Sequence, residues 1–262
     1  MHYGMPTLLE FETLEENIAL AKELGLQFVE INCNVPEFQV DRLNAKHLNQ
    51  LSKESGIYFT FHLDEFLSVT DPNTKISEAY IQSVVDSIEF AKTANIPNLT
   101  MHFLNGVVFT LPTKKVYVYE KYRAEYHERL MYFRNRVEQA IQDAPIKLCI
   151  ENVAGFVPHM QEAIDLLLES SAFGLTYDCG HNHRYEKVDD AFMKAHRNRI
   201  NHAHLHDTMG KNDHLPFGEG EIDIMSEINF IKRNDPRIVI EIKTSEALRK
   251  AVPVLRQMLN SD

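Results

Sequence analysis

Acidic and histidine side chains recur at the ends of short apolar runs along this chain. Each of these runs is rich in Ile, Val, Phe, Tyr or Thr, and six of them end in this way: the residues are His62, His102, Glu151, Asp178, His204, His206 and Glu241. A carboxylate that ends a run such as KLCIE or RIVIE is costly to bury unless it is paired or bound to a metal. A single residue of this kind has an ordinary structural explanation, but the repeated pattern predicts metal binding or proton transfer.

The residue types narrow the kind of metal. Glu151, Asp178, His204 and Glu241 offer three carboxylates and one imidazole. Such a hard, oxygen-rich set suits one divalent ion, Mn²⁺, Zn²⁺, Co²⁺ or Mg²⁺, and leaves room for water or a bidentate substrate. A closed structural zinc site would use thiolates, and the three cysteines are not spaced for one.

Two polar motifs follow the later runs. In YDCGH, His181 comes three residues after Asp178, where its imidazole would lie about one turn beyond the carboxylate. In HLPFGEGEID, His214 can reach inward from a loop, and Gly218 and Gly220 either let the backbone approach a ligand or form a plain turn.

The elements that must position these residues alternate regularly. Apolar runs typical of strands occur at HYGMP, 27–32, 57–62, 98–103, 146–152, 173–178, 200–207 and 237–242, with amphipathic helical patterns between them. Eight such units in about 250 residues predict a (β/α)8 barrel, whose active site lies at the carboxyl ends of the strands. The alternative, an open doubly wound sheet for dinucleotide binding, lacks its Gly-rich turn after the first strand.

Composition limits the class of protein. The 262 residues carry 27 Lys and Arg against 38 Asp and Glu, a net charge of −11, and we expect one domain over 1–262. This charge disfavours a nucleic-acid partner. We expect neither a membrane span nor a signal peptide, and the odd number of cysteines favours free thiols in the cytoplasm. The aromatic connection at 103–119 is a candidate lid or dimer contact, so homo-oligomerisation stays open.

The order and spacing of these motifs resemble the xylose isomerase-like barrel superfamily, which joins sugar and sugar-phosphate isomerases and epimerases with the endonuclease IV type of apurinic endonuclease. The resemblance covers essentially the whole chain and is most specific at IEN, YDCGH, HLHD, HLPFGEGEID and IEI. It implies that Glu151, Asp178, His204 and Glu241 hold one divalent cation. It further implies that the two glutamates exchange a substrate proton through an enediolate, and that His181 contacts substrate hydroxyls.

The endonuclease branch is the alternative function. It uses three zinc ions, and the residues that match its additional ligands are present: His62, His102, His181 and His214. That branch has an aspartate two positions before the residue matching His214, where this chain has Asn212. Together with the net charge, this departure favours an isomerase or epimerase with a small carbohydrate substrate.

Two further questions stay open in the sequence. A metal-binding barrel without turnover, or a lyase or dehydratase that uses the same enediolate, fits the same residues. The sequence also leaves open whether the sugar carries a phosphate, for which Lys243, Arg184 and His183 are the candidate contacts.

Overall fold

The chain folds into a closed barrel of eight parallel strands with helices between them. The computed structural model describes residues 1–260. Its strands are β1 (His2–Pro6), β2 (Phe28–Asn32), β3 (Tyr58–His62), β4 (Asn98–His102), β5 (Val108–Thr110), β6 (Lys115–Tyr117), β7 (Lys147–Glu151), β8 (Phe173–Asp178), β9 (Ile200–Leu205), β10 (Asp207–Met209), β11 (Asn212–Leu215) and β12 (Arg237–Ile240). Neighbouring strands in the barrel follow the order β1-β12-β9-β8-β7-β4-β3-β2. The predicted (β/α)8 barrel is confirmed, and every predicted apolar run supplies one of its strands.

The α-helices begin and end where local chemistry favours it. They are α1 (Leu14–Glu23), α2 (Ala45–Ser55), α3 (Thr74–Ala94), α4 (Val118–Lys121), α5 (Arg123–Ile141), α6 (Pro158–Leu168), α7 (Cys179–Arg184), α8 (Asp190–Ala195), α9 (Ile224–Ile231) and α10 (Ser245–Asn260). At the start of α1, the Thr13 hydroxyl accepts a hydrogen bond from the Glu16 backbone N–H, and the Glu16 carboxylate accepts one from the Thr13 backbone N–H. This reciprocal cap satisfies two backbone donors that the helix leaves free. Gly56 ends α2 with a φ of 77°, a conformation that glycine adopts without strain.

The barrel strands separate an apolar outer layer from a polar interior. Successive strand residues point to opposite faces. In β9, Ala203 and Leu205 join the hydrophobic core, whereas His202 and His204 reach across the interior to Glu30 of β2. The helices therefore pack on a hydrophobic layer outside the barrel, while titratable side chains occupy its interior.

Two short hairpins extend the carboxyl end of the barrel. Strands β5 and β6 pair within the connection that the sequence proposes as a lid or dimer contact. Phe109 of β5 and its flanking residues Val107 and Leu111 are exposed there. Strands β10 and β11 form a second hairpin directly after β9. The apolar pattern does not reveal either hairpin because its strands are only three or four residues long. The lid or dimer role of the first hairpin stays a prediction.

The three cysteines form no disulfide bond in the structure. Cys33, Cys149 and Cys179 are buried and free, and burial raises the pKa of the Cys149 thiol to about 12. No helix within residues 1–260 is both long enough and apolar enough to cross a bilayer.

Candidate metal centre

Four side chains at the carboxyl end of the barrel meet around one imidazole nitrogen. Glu151 ends β7, Asp178 ends β8, and Glu241 follows β12 directly. His204 of β9 lies between them, with its Nδ1 3.1 Å from Glu151 Oε1 and 3.4 Å from Glu241 Oε2. The same nitrogen is 3.7 Å from Asp178 Oδ2. The four residues that the sequence assigns to one metal ion are thus neighbours in space, and none of their side chains is more than 8% exposed.

Two buried carboxylate oxygens in this cluster have no hydrogen-bond partner among the described residues. They are Asp178 Oδ2 and Glu241 Oε2, and both face His204 Nδ1. Leaving such atoms unpaired in a protein interior is costly. A divalent cation would satisfy both oxygens, so the donor set fits a metal ion of the predicted kind.

The charges of the cluster also suit a cation. Burial alone would raise the pKa of each carboxyl, but neighbouring positive groups outweigh it. Lys243 and His204 lower the pKa of Glu241 to about 2. The histidines around Glu151 and Asp178 hold the pKa values of those carboxyls well below their usual range. All three carboxylates are therefore ionised at neutral pH.

Hydrogen bonds to the second oxygen of Asp178 and of Glu241 orient these two carboxylates. Asp178 Oδ1 accepts a hydrogen bond from the backbone N–H of His181 at 2.7 Å, which caps α7. The Asp178 backbone N–H in turn donates to Asn152 Oδ1 at 2.8 Å. Lys243 Nζ lies 2.7 Å from Glu241 Oε1. In each case one oxygen is held by the protein and the other is left facing the cluster.

A second group of histidines contacts the other oxygen of Glu151. His62 Nε2 and His102 Nε2 lie 3.2 and 3.4 Å from Glu151 Oε2. Burial opposes protonation of His62, but its hydrogen bond to Glu151 and the negative charge of that residue outweigh burial and raise its pKa. The sequence predicts these two residues as substrate contacts or ligands of an additional ion, and the structure brings both to the edge of the cluster.

A third group lies on the opposite side, around Asp178 and Glu241. His181 Nδ1 is buried without a hydrogen-bond partner among residues 1–260, 3.4 Å from Asp178 Oδ2. His206 Nε2 is 3.2 Å from Asp178 Oδ1. His214 Nδ1 is 3.0 Å from the Glu241 backbone carbonyl and 3.8 Å from Glu241 Oε2. The sequence-predicted residues His181 and His214 therefore lie directly beside the four central residues, at the same end of the barrel.

His181 and His214 differ in charge although they are neighbours. Burial opposes the protonated form of His181, but the charges of Asp178 and Glu151 outweigh it and raise the pKa to about 10. Burial dominates at His214 and lowers its pKa to about 4, even though Glu241 opposes this shift. In the metal-free protein His181 is thus a cationic donor at neutral pH, and His214 is neutral.

The glycine motif after β9 is a structural turn around a buried aspartate. Asp207 Oδ2 accepts hydrogen bonds from the backbone N–H groups of Gly218 and Gly220, each at 2.9 Å. A Cβ on Gly220 would lie 2.2 Å from Asp207 Oδ1, so no larger residue fits there. Of the two interpretations that the sequence allows, the backbone of these glycines serves the fold rather than a ligand. Its effect is to hold the loop that carries His214.

The candidate phosphate contacts are engaged with carboxylates. Lys243 pairs with Glu241, Arg184 with Asp213, and His183 Nε2 lies 3.3 Å from Glu221. A phosphate at this end of the barrel would have to compete with an existing ion pair for each of them.

Sequence reasoning missed one buried acid, Glu30 of β2. Its carboxylate is 2.8 Å from His202 Nε2 and 2.9 Å from His204 Nε2. The sequence does place this glutamate in the middle of the apolar run QFVEIN, where burying an unpaired charge costs free energy, and this position could have indicated a buried partner.

Fold and cluster together define a (β/α)8 barrel with a candidate divalent-metal centre at the carboxyl ends of its strands. The chain belongs to the xylose isomerase-like TIM barrel family, whose model matches residues 18–258. This finding confirms the resemblance that the motifs suggest.

Individual relatives are more distant. The chain is 25% identical over 237 residues to the uncharacterized protein MJ1188 of Methanocaldococcus jannaschii, covering 85% of this chain and 81% of that protein. Its fold is similar to a D-tagatose 3-epimerase-like protein, with a TM-score of 0.79, 22% identity and coverage of 99% and 97% of the two chains. It is also similar to the IOLI protein in a structure with a bound zinc atom, with a TM-score of 0.77, 16% identity and coverage of 100% and 99%. At these identities the solved structures establish the fold.

Proposed function

We propose that this protein is a divalent-metal-dependent isomerase or epimerase that acts on a sugar or sugar phosphate by proton transfer through an enediolate. The observation that carries the proposal is that two ionised glutamates, Glu151 and Glu241, lie on opposite sides of Asp178 and His204. In the barrel, β7 and β12 flank β8 and β9, so the two glutamates border the central pair from opposite sides.

Glu151, Asp178, His204 and Glu241 would hold the cation. When bound, the ion supplies Lewis-acid polarisation of a ketose carbonyl, which lowers the pKa of the neighbouring carbon acid. The unpaired oxygens Asp178 Oδ2 and Glu241 Oε2 support this assignment. Similarity to a zinc-containing structure of the same fold agrees with it.

The two glutamates are the proposed acid and base. A carboxylate within hydrogen-bond reach of an acidic C–H can remove its proton, and an ionised carboxylate is ready to do so at neutral pH. If one glutamate takes the proton from one face and the other returns it to the opposite face, the result is epimerisation. If a single glutamate moves the proton between adjacent carbons, the result is an aldose–ketose shift.

The surrounding imidazoles would bind the substrate hydroxyls. His181 carries a proton and faces the cluster, so it can donate a hydrogen bond to a hydroxyl oxygen. His62 and His102 border the other side of Glu151, and neutral His214 can donate or accept. A small polyhydroxylated substrate matches such a ring of donors and acceptors. Sugar epimerases with the same fold support this substrate class.

A zinc-dependent endonuclease is the second candidate. It is favoured by the additional ligand groups around the centre, one with His62, His102 and Glu151 and others with His181, His206 and His214. Against it, Asp213 is paired with Arg184 and receives a hydrogen bond from the Thr208 hydroxyl, so its carboxylate is engaged away from His214. The net charge of −11 would also repel a phosphate backbone.

The test follows carbon-bound deuterium by NMR when the metal-loaded protein is incubated with a panel of ketoses and ketose phosphates in deuterated water. We expect exchange on at least one of them. Glu151→Gln or Glu241→Gln should slow it by roughly 10²–10⁴-fold, the usual contribution of a positioned general base. Glu219→Gln, an exposed glutamate of the same barrel end, is the matched control and should leave exchange unchanged.

The proposal fails if the wild type exchanges no carbon-bound proton on any substrate. It also fails if both Glu→Gln variants exchange as fast as the control. Deuterium exchange without an isomeric product would instead indicate a lyase or dehydratase that uses the same proton transfer.

A further inference from the structure

The barrel interior contains a carboxylate that the proposed reaction does not use. Glu30 is 2% exposed and lies below the candidate metal centre, on the far side of the barrel from β9. Its hydrogen-bond partners within residues 1–260 are the rings of His202 and His204 and, at 3.4 Å, the Thr60 hydroxyl. No Lys or Arg of the described chain pairs with it. A buried charge whose two shortest hydrogen bonds come from imidazoles must influence the protonation and orientation of those imidazoles.

The contacts of Glu30 constrain where the ring protons lie. A carboxylate accepts hydrogen bonds and does not donate them. Glu30 Oε1 lies 2.9 Å from His204 Nε2, and Glu30 Oε2 lies 2.8 Å from His202 Nε2. Each ring therefore donates an Nε2–H to a separate oxygen of the same carboxylate. In a neutral imidazole this choice leaves Nδ1 with its lone pair.

The other ring nitrogen of His204 is the one that the candidate metal centre needs. His204 Nδ1 is the atom 3.1 Å from Glu151 Oε1 and 3.4 Å from Glu241 Oε2. We propose that Glu30 is a positioning residue that fixes the ring orientation and tautomer of His204, so that Nδ1 faces the cation and Nε2–H stays bound in the barrel interior. The inference rests on the metal site of the proposed function, but it concerns metal affinity and not the reaction.

His202 holds Glu30 in place from the amino-terminal side of His204 on β9. Its Nε2 binds the second carboxylate oxygen, and its Nδ1 has no hydrogen-bond partner in the described chain. His202 lies two residues before His204 in the same strand, so both rings point into the barrel. The carboxylate is thus held between two rings of one strand and cannot turn away from His204 without losing a buried hydrogen bond.

The first experiment measures Zn²⁺ affinity by competition with a chromophoric chelator. Loss of an outer partner of a metal-bound histidine typically costs about 10–100-fold in affinity, and we expect this loss for Glu30→Gln. Thr100→Val is the matched control, because it removes one buried hydrogen bond of the barrel interior, to Thr176 at 2.9 Å, without touching Glu30 or His204. It should bind Zn²⁺ like the wild type. His202→Gln, which keeps an N–H donor toward Glu30, should lose less affinity than Glu30→Gln.

The second experiment uses the wild type alone, so it does not depend on a variant that folds. Nitrogen-15 NMR of histidine rings in the Zn²⁺-loaded wild type should show His204 bound through Nδ1, with a strongly hydrogen-bonded Nε2–H. Binding of His204 through Nε2 overturns the inference, as does metal coordination by His202. Equal Zn²⁺ affinity of Glu30→Gln and Thr100→Val overturns it as well. Lost affinity in Glu30→Gln without any proton exchange in the wild type would reject the proposed reaction and leave this inference standing.

Discussion

Replacing Asp207 by Asn should loosen the loop that carries His214 while leaving the barrel intact. Asp207 is 1% exposed and begins β10, directly after the strand end that carries the candidate ligands. Its carboxylate accepts four backbone hydrogen bonds from residues of this loop, between 208 and 222. Asn has nearly the same shape, so the change alters hydrogen bonding and charge with little effect on packing.

The magnitude follows from the four contacts. Asp207 Oδ1 accepts from Thr208 N at 2.9 Å and Ile222 N at 3.0 Å, and Oδ2 accepts from Gly218 N and Gly220 N at 2.9 Å. Whichever way the Asn amide is turned, its NH₂ group faces two backbone N–H donors and two bonds are lost. Hydrogen bonds to a charged group contribute about 1.5–3 kcal/mol each. The expected loss is therefore about 3–6 kcal/mol, concentrated in the loop.

Amide hydrogen exchange, read residue by residue, is the appropriate assay. We expect Gly218, Gly220 and Ile222 to exchange much faster in Asp207→Asn than in the wild type, while amides of the barrel strands keep their protection. Asp213→Asn is the matched control, because Asp213 sits on the same hairpin but its carboxylate contacts the side chains of Arg184 and Thr208 and not the backbone N–H groups of the loop. Unchanged protection of the three loop amides, or equal effects of the two variants, would refute the reasoning.

Three further outcomes are expected. His204→Ala should lower affinity for a divalent ion far more than His206→Ala, because only His204 of these two presents a nitrogen between Glu151 and Glu241. The loss at His204 should be at least the roughly 10–100-fold that an outer partner contributes. Titration of both variants with Zn²⁺ measures the two affinities. Purified protein should not cleave DNA at abasic sites efficiently, in a nicking assay with and without chelator. Burial lowers the pKa of His159, although its hydrogen bond to the Asn105 carbonyl opposes the shift. The unfolded chain therefore binds this proton more readily, and stability should fall as pH drops below about 6.5; urea unfolding between pH 5 and 8 should show a smaller fall in His159→Gln.

Each of these has a result that contradicts it. Equal affinity losses at His204 and His206 would leave the ligand assignment without support. A robust, chelator-sensitive nick at an abasic site would promote the endonuclease alternative over the isomerase. If stability depends on pH in the same way in His159→Gln and the wild type, the pKa of the His159 ring is not lowered in the folded state.

Much of the site was predictable because the barrel makes sequence position informative. Parallel strands of a (β/α)8 barrel all end at the same face, so a polar residue that closes an apolar run has a known destination. Glu151, Asp178 and Glu241 were recognisable for this reason, without any knowledge of their neighbours. The strands themselves were recognisable from their short, bounded apolar runs.

Other features were not predictable because they depend on pairs distant in the chain. Glu30 lies inside an apolar run, and its partners His202 and His204 are more than 170 residues away. The turn at Gly218 and Gly220 looked equally suited to a ligand until the position of Asp207 was known. The hairpin strands β5, β6, β10 and β11 are too short to produce a periodic signal.

The sequence by itself determined the barrel, the face on which chemistry is possible and the family, since all three depend on residue type and spacing along the chain. Only the tertiary structure decided which atom of each side chain faces the cluster of candidate metal ligands. It directs His204 Nδ1 to the three carboxylates and His204 Nε2 to Glu30, and within residues 1–260 it leaves Asp178 Oδ2 and Glu241 Oε2 without hydrogen-bond partners. The physical reason is that ring orientation, tautomer and unsatisfied oxygens are set by hydrogen bonds across the barrel, between strands that the chain order separates and the closed sheet brings together.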